Sequence, residues 1–409
     1  MDLKTHIKET LKLALPISFG QLGHIMMGIV DSIMVGKVGY APLAASALVN
    51  GLFFLVIVLG IGMSVAATPL IAIAKGAGKD EECGKILNQS LLVNLFFSFF
   101  LIIGIFSISL LIPKMNQTAE VTKEAMPYMQ VLTASIIPFI IFQTYRQFLE
   151  GLELPYAPMV IALLANILNA FLNWIFIYGN FGVPALGLFG AGIATTTTRW
   201  IMAFSLMWFA LKYKRTAVYK PALKFTPVDY QIIKKIIRIG LPSGFQYFLE
   251  VACFTFATIM VGWISAKQQA AHQIALNVAS TTYMIMLGIS SAGTIRVGYA
   301  MGKKNIQQIR LSGFTAIGMA AALMITFSFI MILVKNILPP FYNSDAEVIS
   351  YASSLLILAA IFQLFDGLQA SSIGVLRGLT DVKVPLVVSI FSYWIVAIPI
   401  ALILGFHFK

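Results

Sequence analysis

Long apolar runs alternate with short polar segments along the whole chain. The stretch LLVNLFFSFFLIIGIFSISLLI at 91–112 is typical, and each run is long enough to cross a hydrocarbon core of about 30 Å as a helix. The pattern predicts eleven membrane spans in 409 residues, at 10–36, 43–73, 88–112, 127–149, 157–179, 190–211, 240–264, 269–297, 313–337, 349–376 and 385–406.

The spans are predicted to be α-helices. Membrane barrels show short segments in which apolar and polar residues alternate, and the sequence lacks that pattern. Backbone groups in lipid must also find hydrogen-bond partners within their own segment. The first span is not expected to be a cleaved signal peptide, because it is too long and contains Pro16 and Asp31. The sequence therefore predicts an all-α integral membrane protein.

The composition points to the same class. Hydrophobic residues make up 59% of the chain and charged residues only 11%, whereas about a quarter of the residues in soluble domains are charged. Two cysteines, Cys83 and Cys253, and four dispersed histidines form neither a disulfide framework nor the spacing of a metal site. No cofactor and no metal cluster are expected.

The distribution of basic residues predicts the topology. With eleven alternating spans and the N-terminus inside, 21 Lys and Arg fall on the inner side, six on the outer side and Arg199 within a span. Positive charge concentrates on the cytosolic side of membrane proteins, so the N-terminus is predicted to be cytosolic. The densest basic run, 212–240, carries eight of these charges and is interpreted as a cytosolic connector. Because topology accounts for the net charge of +12, no nucleic-acid partner is expected.

The two halves of the chain are similar to each other. Residues 15–76 and 241–302 align without a gap at a shift of 226, with 15 identities in 62 positions. A shift of 227 then aligns FLEGL at 148–152 with VLRGL at 375–379. An internal duplication explains this match better than chance similarity of two apolar stretches.

The duplication predicts two lobes. The N-lobe covers 1–211 with helices 1–6, the cytosolic connector covers 212–239, and the C-lobe covers 240–409 with helices 7–11. Six spans per repeat is an even number, so the two copies are expected to run in the same direction across the membrane. The C-lobe has no counterpart to the sixth span, so a twelfth helix is expected to be absent.

Three acidic residues lie well inside predicted spans: Asp31, Glu250 and Asp366. An unpaired carboxylate near the bilayer centre costs about 3 kcal/mol, so such groups usually face a protein interior and have a function. A carboxyl group there can accept a proton or bind a sodium ion. Permanent protonation or a structural polar contact is the alternative. The duplication does not copy the three acids. In the other half of the chain, Asp31 corresponds to Ala257, Glu250 to His24, and Asp366 to Phe139.

Polar residues on neighbouring spans are candidate partners of Asp31. Asn169 and Asn173 lie one turn apart on one face of the fifth span, and with Thr195 they can hydrogen-bond an interior carboxylate. Ordinary helix-to-helix contacts are the alternative explanation. Pro16 lies about four turns before Asp31 and is expected to bend the first helix.

Motifs of other functional classes are missing. The segment nearest to a nucleotide-binding loop, VGYAMGKK at 297–304, lacks the first glycine and the final hydroxyl. The sequence contains no H-E-x-x-H, G-x-S-x-G or C-x-x-C motif. A channel is disfavoured because its filter needs several equivalent segments. An intramembrane hydrolase that uses the same acids stays open as a minor alternative.

Several stretches resemble the multidrug and toxic compound extrusion family, in particular its NorM-like branch. The resemblance covers residues 10–406 and is carried by LPISFGQLGHIMMGIVDSIMVG (15–36), LNWIFIYG (172–179), AAHQIALN (270–277), IRVGYAMGKKN (295–305) and LRGLTDVKVP (376–385). It implies two six-helix lobes that export cationic amphiphilic drugs in exchange for protons or sodium ions. The protein is therefore expected to be a transporter of the cytoplasmic membrane and not an enzyme, and to act as a monomer.

The resemblance also implies roles for single residues. Asp31 matches the aspartate of the family's N-lobe cation site, with Asn169, Asn173 and Thr195 at its partner positions, and Pro16 matches the proline at the bend. Glu250 and Asp366 match the C-lobe acids tied to cation coupling or drug binding. Some relatives carry an acid in place of Asn173 and a tyrosine in place of Phe362, so the choice between H⁺ and Na⁺ stays open.

The resulting prediction is a cation-coupled antiporter that exports amphiphilic organic cations. A flippase for lipid-linked precursors shares the two-lobed plan and is the first alternative. A flippase is expected to have a cationic cavity for phosphates, whereas Arg199 is the only basic residue that the predicted spans place deep in the membrane.

Overall fold

The computed structural model describes residues 3–115, 117–221 and 227–406. Its long elements are all helical, which confirms the predicted fold class. The middle of the connector and Lys409, counted above among the outward-facing charges, lie outside the described residues. The α-helices are α1 (Leu3–Gly36), α2 (Tyr40–Ser64), α3 (Ala67–Gly76), α4 (Asp80–Ser109), α5 (Ala119–Ala134), α6 (Ile136–Gly151), α7 (Tyr156–Tyr178), α8 (Gly187–Lys212), α9 (Tyr230–Ile264), α10 (Ala266–Gly302), α11 (Ile306–Val334), α12 (Ala346–Gly378), α13 (Lys383–Ser389) and α14 (Ile398–Phe406), with a π-helical segment (Ile390–Ala397) between the last two.

Helices occupy all eleven predicted span positions. In the part of the chain that the structure describes, nine helical stretches are long and apolar enough to cross a membrane, and α5 with α6 makes a bent tenth. Helix α8 is the predicted span that does not pass this test. Its run of four threonines followed by Arg199 lowers the hydropathy of its central part.

Two predicted spans are broken, and a proline explains each break. Helices α5 and α6 meet at Ser135 with a bend of 42°. Pro138 has no backbone N–H, and its ring would clash with the carbonyl four residues earlier, at the bend. Pro69 likewise lies three to four residues after the break between α2 and α3, so its ring would clash with a carbonyl at that break. By contrast, α1 continues through Pro16, so the predicted bend at that residue stays a prediction.

A capping aspartate starts α12. The side chain of Asp345 accepts hydrogen bonds from the backbone N–H groups of Glu347 and Val348, at 2.8 and 3.3 Å. These bonds lower the pKa of Asp345, and the ammonium of Lys267 at 3.3 Å contributes further. The carboxylate therefore stays ionised at neutral pH and satisfies two donors that the helix itself leaves unpaired.

The chain forms two compact units. The N unit is Phe19–Gly244, and the C unit combines Met1–Ser18 with Phe245–Lys409. The first turns of α1 therefore pack within the C unit, and the first turns of α9 pack within the N unit. Position 244 is 226 residues after position 18, so the chain changes unit at equivalent points of the repeat. The lobes predicted from sequence use other boundaries, at 211 and 240, and stay a prediction.

A duplicated glycine allows a close helix crossing in each unit. In the C unit, a Cβ atom on Gly288 of α10 would lie 2.0 Å from the Ser18 hydroxyl and 2.5 Å from the Ala14 carbonyl. In the N unit, a Cβ atom on Gly62 of α2 would lie 2.4 Å from the Cα atom of Gly244. Any larger side chain would force the backbones apart, so the repeat retains glycine at both positions.

Apolar packing fills the interior of each unit. The N unit has a core of α2, α4, α5, α6 and α8 residues, including Val49, Ile105, Met129 and Ile140. In the C unit, α10 packs against α11 and α12. This packing holds the polar residues described next in fixed positions between helices.

Candidate functional site

Asp31 lies inside the N unit at a junction of three helices. Its side chain on α1 is only 6% exposed. The Asn173 amide of α7 donates a hydrogen bond to Oδ1 at 2.5 Å, and the Thr195 hydroxyl of α8 donates one to Oδ2 at 3.1 Å. Both carboxylate oxygens are thus hydrogen-bonded, but only by neutral groups.

Asn169 lies one turn before Asn173 on α7 and hydrogen-bonds both residues that donate to Asp31. It accepts a hydrogen bond from Asn173 at 3.3 Å and donates one to the Thr195 hydroxyl at 3.5 Å. Both asparagines are fully buried. The structure therefore brings together all four residues that the sequence proposed for this cluster, while their role in cation coupling stays a prediction.

The Asp31 cluster has oxygens to offer a cation. Among the described residues, the amide oxygen of Asn173 has no hydrogen-bond partner. Carboxylate and amide oxygens, both present in the cluster, are ligand types that hard cations prefer. No group of three or more histidine, cysteine or acidic side chains suited to a metal occurs in the described part of the chain.

A cavity of about 290 Å³ opens beside Asp31. This volume is close to the lower end of the range for small-molecule sites, about 300–1,000 Å³. Aromatic and sulfur-containing side chains share the lining with about as many polar ones: His24, Met27, Gly28, Asp31, Ser32, Asn50, Tyr128, Leu132, Phe139, Phe142, Thr195, Arg199 and Met202. The cavity can therefore hold an organic group in contact with a carboxylate.

Two polar residues of the cavity wall belong to a second hydrogen-bonded chain. The Tyr128 hydroxyl donates to the Asn50 side-chain oxygen at 3.3 Å, and the Asn50 amide donates to the Ser46 hydroxyl at 3.2 Å. The sequence pattern did not indicate these residues. Each is an ordinary polar side chain inside an apolar run, and only the packing of α2 against α5 brings them together.

His24 and Arg199 also line the cavity. The ring of His24 packs edge-on against Phe142, with centroids 5.8 Å apart. The Arg199 guanidinium donates to the Ser135 hydroxyl at 2.5 Å, at the bend between α5 and α6. It also lies over the rings of Phe53 and Phe139, at 5.3 and 5.1 Å from their centroids.

A buried ion pair lies near the end of α6. Arg146 and Glu150 on α6 are each 3% exposed, and their nearest atoms, Nε and Oε1, are 2.6 Å apart. Glu150 is the last residue but one of α6, so the pair lies near a helix end, where the predicted span 127–149 places it. The last turns of α6 pack against α3 and α4, and this packing buries the pair within the N unit.

Glu250 and Asp366 lie in the C unit, both half-buried. They are close enough to interact electrostatically. The Tyr283 hydroxyl of α10 donates to the Glu250 carboxylate at 3.4 Å. Phe362, one turn before Asp366, packs edge-on against Phe254 with ring centroids 6.1 Å apart. The two acids thus share one neighbourhood, as a joint site requires.

The π-helical segment supplies further partners near Glu250. Its Tyr393 hydroxyl accepts a hydrogen bond from the Gln369 amide at 2.9 Å. The indole N–H of Trp394 donates to the carbonyl of Leu249, the residue before Glu250, at 3.2 Å. π-Helical turns are rare and frequently occur at functional sites. This one places the Tyr393 hydroxyl against α12 and the Trp394 indole against α9.

Comparison with known proteins gives consistent matches over the whole chain. The sequence pattern of the MatE family matches residues 16–175 and again 242–403. The two matches start 226 residues apart, which is the shift of the internal repeat.

Two curated relatives cover nearly all of the chain. The multidrug resistance protein MdtK of Photorhabdus laumondii is 32% identical over 98% of this chain and 89% of its own length. The probable multidrug resistance protein NorM of Mesorhizobium japonicum is 32% identical over 99% of this chain and 88% of its own length.

Solved structures show the same fold. The eukaryotic MATE transporter AtDTX14 superposes with a TM-score of 0.92 at 21% identity, covering 100% of this chain and 90% of that one. A MOP superfamily transporter from Pyrococcus furiosus gives a TM-score of 0.88 at 22% identity, covering 98% and 88%.

Proposed function

Because the chain belongs to the MatE family, we propose that it is a cation-coupled antiporter that exports amphiphilic organic cations. Membership of the family confirms the resemblance seen in the sequence, and it makes the chain a multi-pass membrane transporter and not an enzyme. The relatives named above are multidrug resistance proteins, and we extend that activity to this chain.

The Asp31 cluster is the observation that carries this proposal. Its carboxylate is buried, is hydrogen-bonded by neutral groups only, and lines the cavity. Such a carboxylate is most stable when a cation or a proton neutralises it. An organic cation and a coupling cation therefore compete for the same negative charge, and binding of one promotes release of the other.

Competition at one carboxylate couples the two fluxes. In the inward-facing state the cavity takes up the organic cation, and in the outward-facing state an incoming H⁺ or Na⁺ replaces it. Each positive charge that moves down a potential of 100 mV supplies about 2.3 kcal/mol, enough to maintain a useful gradient of a monovalent cargo. Pro16 is the proposed site at which α1 bends between the two states.

Glu250 and Asp366 form the second proposed cation site. Two neighbouring carboxylates repel each other unless at least one binds a cation or a proton. The Tyr283 hydroxyl stabilises the charged form of Glu250 and offers an oxygen to a bound cation. The C unit therefore provides a second place at which either H⁺ or Na⁺ can enter the cycle, or at which cargo binds.

We also propose the orientation and setting of the molecule. The excess of basic residues on one side places the N-terminus in the cytosol, with the chain spanning the cytoplasmic membrane. Each chain contains its own cluster and cavity, so a monomer is sufficient for transport.

Efflux of ethidium from cells tests the proposal. Asp31→Asn is expected to abolish efflux that depends on an ion gradient, and Glu250→Gln or Asp366→Asn to reduce it about tenfold or more, because each removes a titratable charge. Asp381→Asn, at an exposed position, is the matched control and should behave like wild type. If all three variants reach the membrane and pump like wild type, the carboxylates are structural and the proposal is wrong.

A further inference from the structure

Arg377 is a buried arginine near the end of α12 in the C unit. It is only 6% exposed, and its guanidinium lies over the ring of Tyr247 on α9, 5.2 Å from the ring centroid. We propose that Arg377 is an internal counter-charge of Glu250, which weakens the binding of the coupling cation there and so promotes its release. This inference rests on the proposed function, because it takes Glu250 and Asp366 as a cation site.

Arg377 has no acceptor of its own. Within the part of the chain that the structure describes, its Nε atom has no hydrogen-bond partner, and none of the ion pairs includes it. A buried guanidinium without a carboxylate is costly, so such groups are normally paired. The negative end of the α12 dipole also attracts Arg377, and a purely structural role of this kind is the alternative that the experiment tests.

The equivalent position in the N unit has the opposite charge and a local partner. At the shift of 227, Arg377 corresponds to Glu150, which pairs with Arg146 one turn earlier on α6. The residue one turn before Arg377 is Ile373, so α12 cannot form the same pair. Both units therefore bury a charge at this position, but α12 does not compensate it locally. The charge of Arg377 is left to act on groups of other helices.

Tyr247 directs that charge toward Glu250. The two residues are three positions apart on α9 and so lie on the same face of the helix. The ring of Tyr247 holds the guanidinium, and Arg377 attracts the Glu250 carboxylate through space. The ion pairs of the described residues do not join the two groups directly. The carboxylate therefore stays available to an exchanging cation while a permanent positive charge acts on it.

A permanent positive charge opposes the binding of a second one. Repulsion between Glu250 and Asp366 strengthens the binding of a cation or a proton. Arg377 acts in the other direction, because an opposite charge stabilises the cation-free carboxylate. A coupling cation must leave as well as bind in every cycle, and the balance of the two effects allows both. The other titratable groups around Glu250 are Asp366, Tyr283, Tyr393, Tyr247 and Cys253.

Cation titration of Trp394 fluorescence tests this inference. The Trp394 indole donates to the carbonyl of Leu249, next to Glu250, so its emission reports on this site. The purified full chain in detergent is titrated with Na⁺ at high pH, and with acid in buffer without Na⁺. The part of the signal that Trp394→Phe removes is the response of the site. Arg377→Gln is expected to lower the concentration of Na⁺ or H⁺ at half saturation about tenfold, because the opposing charge is gone.

Two further arginine variants separate the charge from the packing. Arg377→Lys should stay within about threefold of wild type, because the positive charge remains. Arg310→Gln removes an exposed arginine from α11 of the same unit, so it is the matched control and should leave half saturation unchanged. An unchanged value in Arg377→Gln, or an equal shift in Arg377→Lys and Arg377→Gln, would show a structural role and overturn the inference.

Ile373→Glu repeats the test without removing the arginine. It puts a carboxylate one turn before Arg377, at the spacing that Arg146 and Glu150 have in the N unit. Pairing should neutralise Arg377 and lower the half-saturating concentration as Arg377→Gln does, whereas Ile373→Gln should resemble wild type. A wild-type value for Ile373→Glu contradicts the inference, even where Arg377→Gln does not fold.

Glu250→Gln distinguishes this inference from the proposed function. It should abolish the Trp394 response if the two acids form a cation site. If it does so while Arg377→Gln keeps the half saturation of wild type, only the counter-charge fails. If wild type gives no saturable response, or Glu250→Gln responds as wild type does, the cation site of the C unit is itself wrong.

Discussion

At the scale of single residues, the chemistry of the N unit depends on which donors face Asp31. Asn173 and Thr195 each occupy one carboxylate oxygen, and Asn169 holds both donors in place. Neutral donors orient the carboxylate without cancelling its charge. A lysine or arginine in direct contact would bind the carboxylate permanently and prevent exchange of cations. The arrangement therefore favours a group that is neutralised in each cycle.

Thr195 and its neighbour Thr196 provide a matched pair of variants. Thr195→Val removes a hydroxyl that donates to Asp31, so coupled dye efflux should fall about tenfold. The Thr196 hydroxyl instead donates to the carbonyl of Val131 at 3.0 Å, so Thr196→Val should change efflux by less than about twofold. Initial rates of ethidium efflux, normalised to the amount of protein in the membrane, measure the difference. Equal loss in both variants would mean that the hydroxyl acts only through helix packing.

Part of the candidate site was predictable from the sequence. The sequence indicates Asn169 and Asn173 as partners because they lie one turn apart in an apolar span. It indicates Thr195 because this residue begins a run of four threonines. Tyr128, Asn50 and His24 could not be found this way, since each stands alone in its helix and meets the others only through tertiary packing. The Arg146 and Glu150 pair was missed because its burial depends on helices α3 and α4.

At the scale of helices, the apolar pattern predicted the position of every span, and the breaks follow from local rules. Pro138 and Pro69 each follow a break by three to four residues, so the sequence contained that signal. The π-helical segment near Tyr393 had no such signal, because its sequence is as apolar as an ordinary span. Helix α8 is the opposite case. Its composition does not pass the test for a membrane span, yet the helix packs within the N unit and contributes Thr195 to the site.

The close crossing at Gly62 gives a prediction about stability. Gly62→Ala should lower the thermal unfolding temperature of the purified protein strongly, because its Cβ atom would collide with the backbone of Gly244. Gly51→Ala on the same helix is the control. A Cβ atom on Gly51 would meet no described atom within 4 Å, and alanine favours the helix, so this variant should be neutral or slightly stabilising. Similar unfolding temperatures for the two variants would show that α9 can move away without loss.

At the scale of the whole molecule, the internal repeat explains the pattern of packing but not the chemistry. The two family matches, the paired glycines and the two points at which the chain changes unit all follow the shift of 226. The acids do not follow it, because Asp31 has no acidic counterpart in the C unit and Glu250 corresponds to His24. Duplication thus supplied two similar scaffolds, and different polar residues now lie inside each of them.

The central claim is that cargo and a coupling cation exchange in opposite directions through Asp31. The most direct measurement uses purified protein in sealed proteoliposomes, with ethidium added on one side and release of H⁺ or Na⁺ followed on the other. Wild type should release one of these ions when the dye enters, and Asp31→Asn should not, although it inserts into the vesicles in folded form. Dye entry with no opposing ion movement, or equal ion release by Asp31→Asn, would contradict the account.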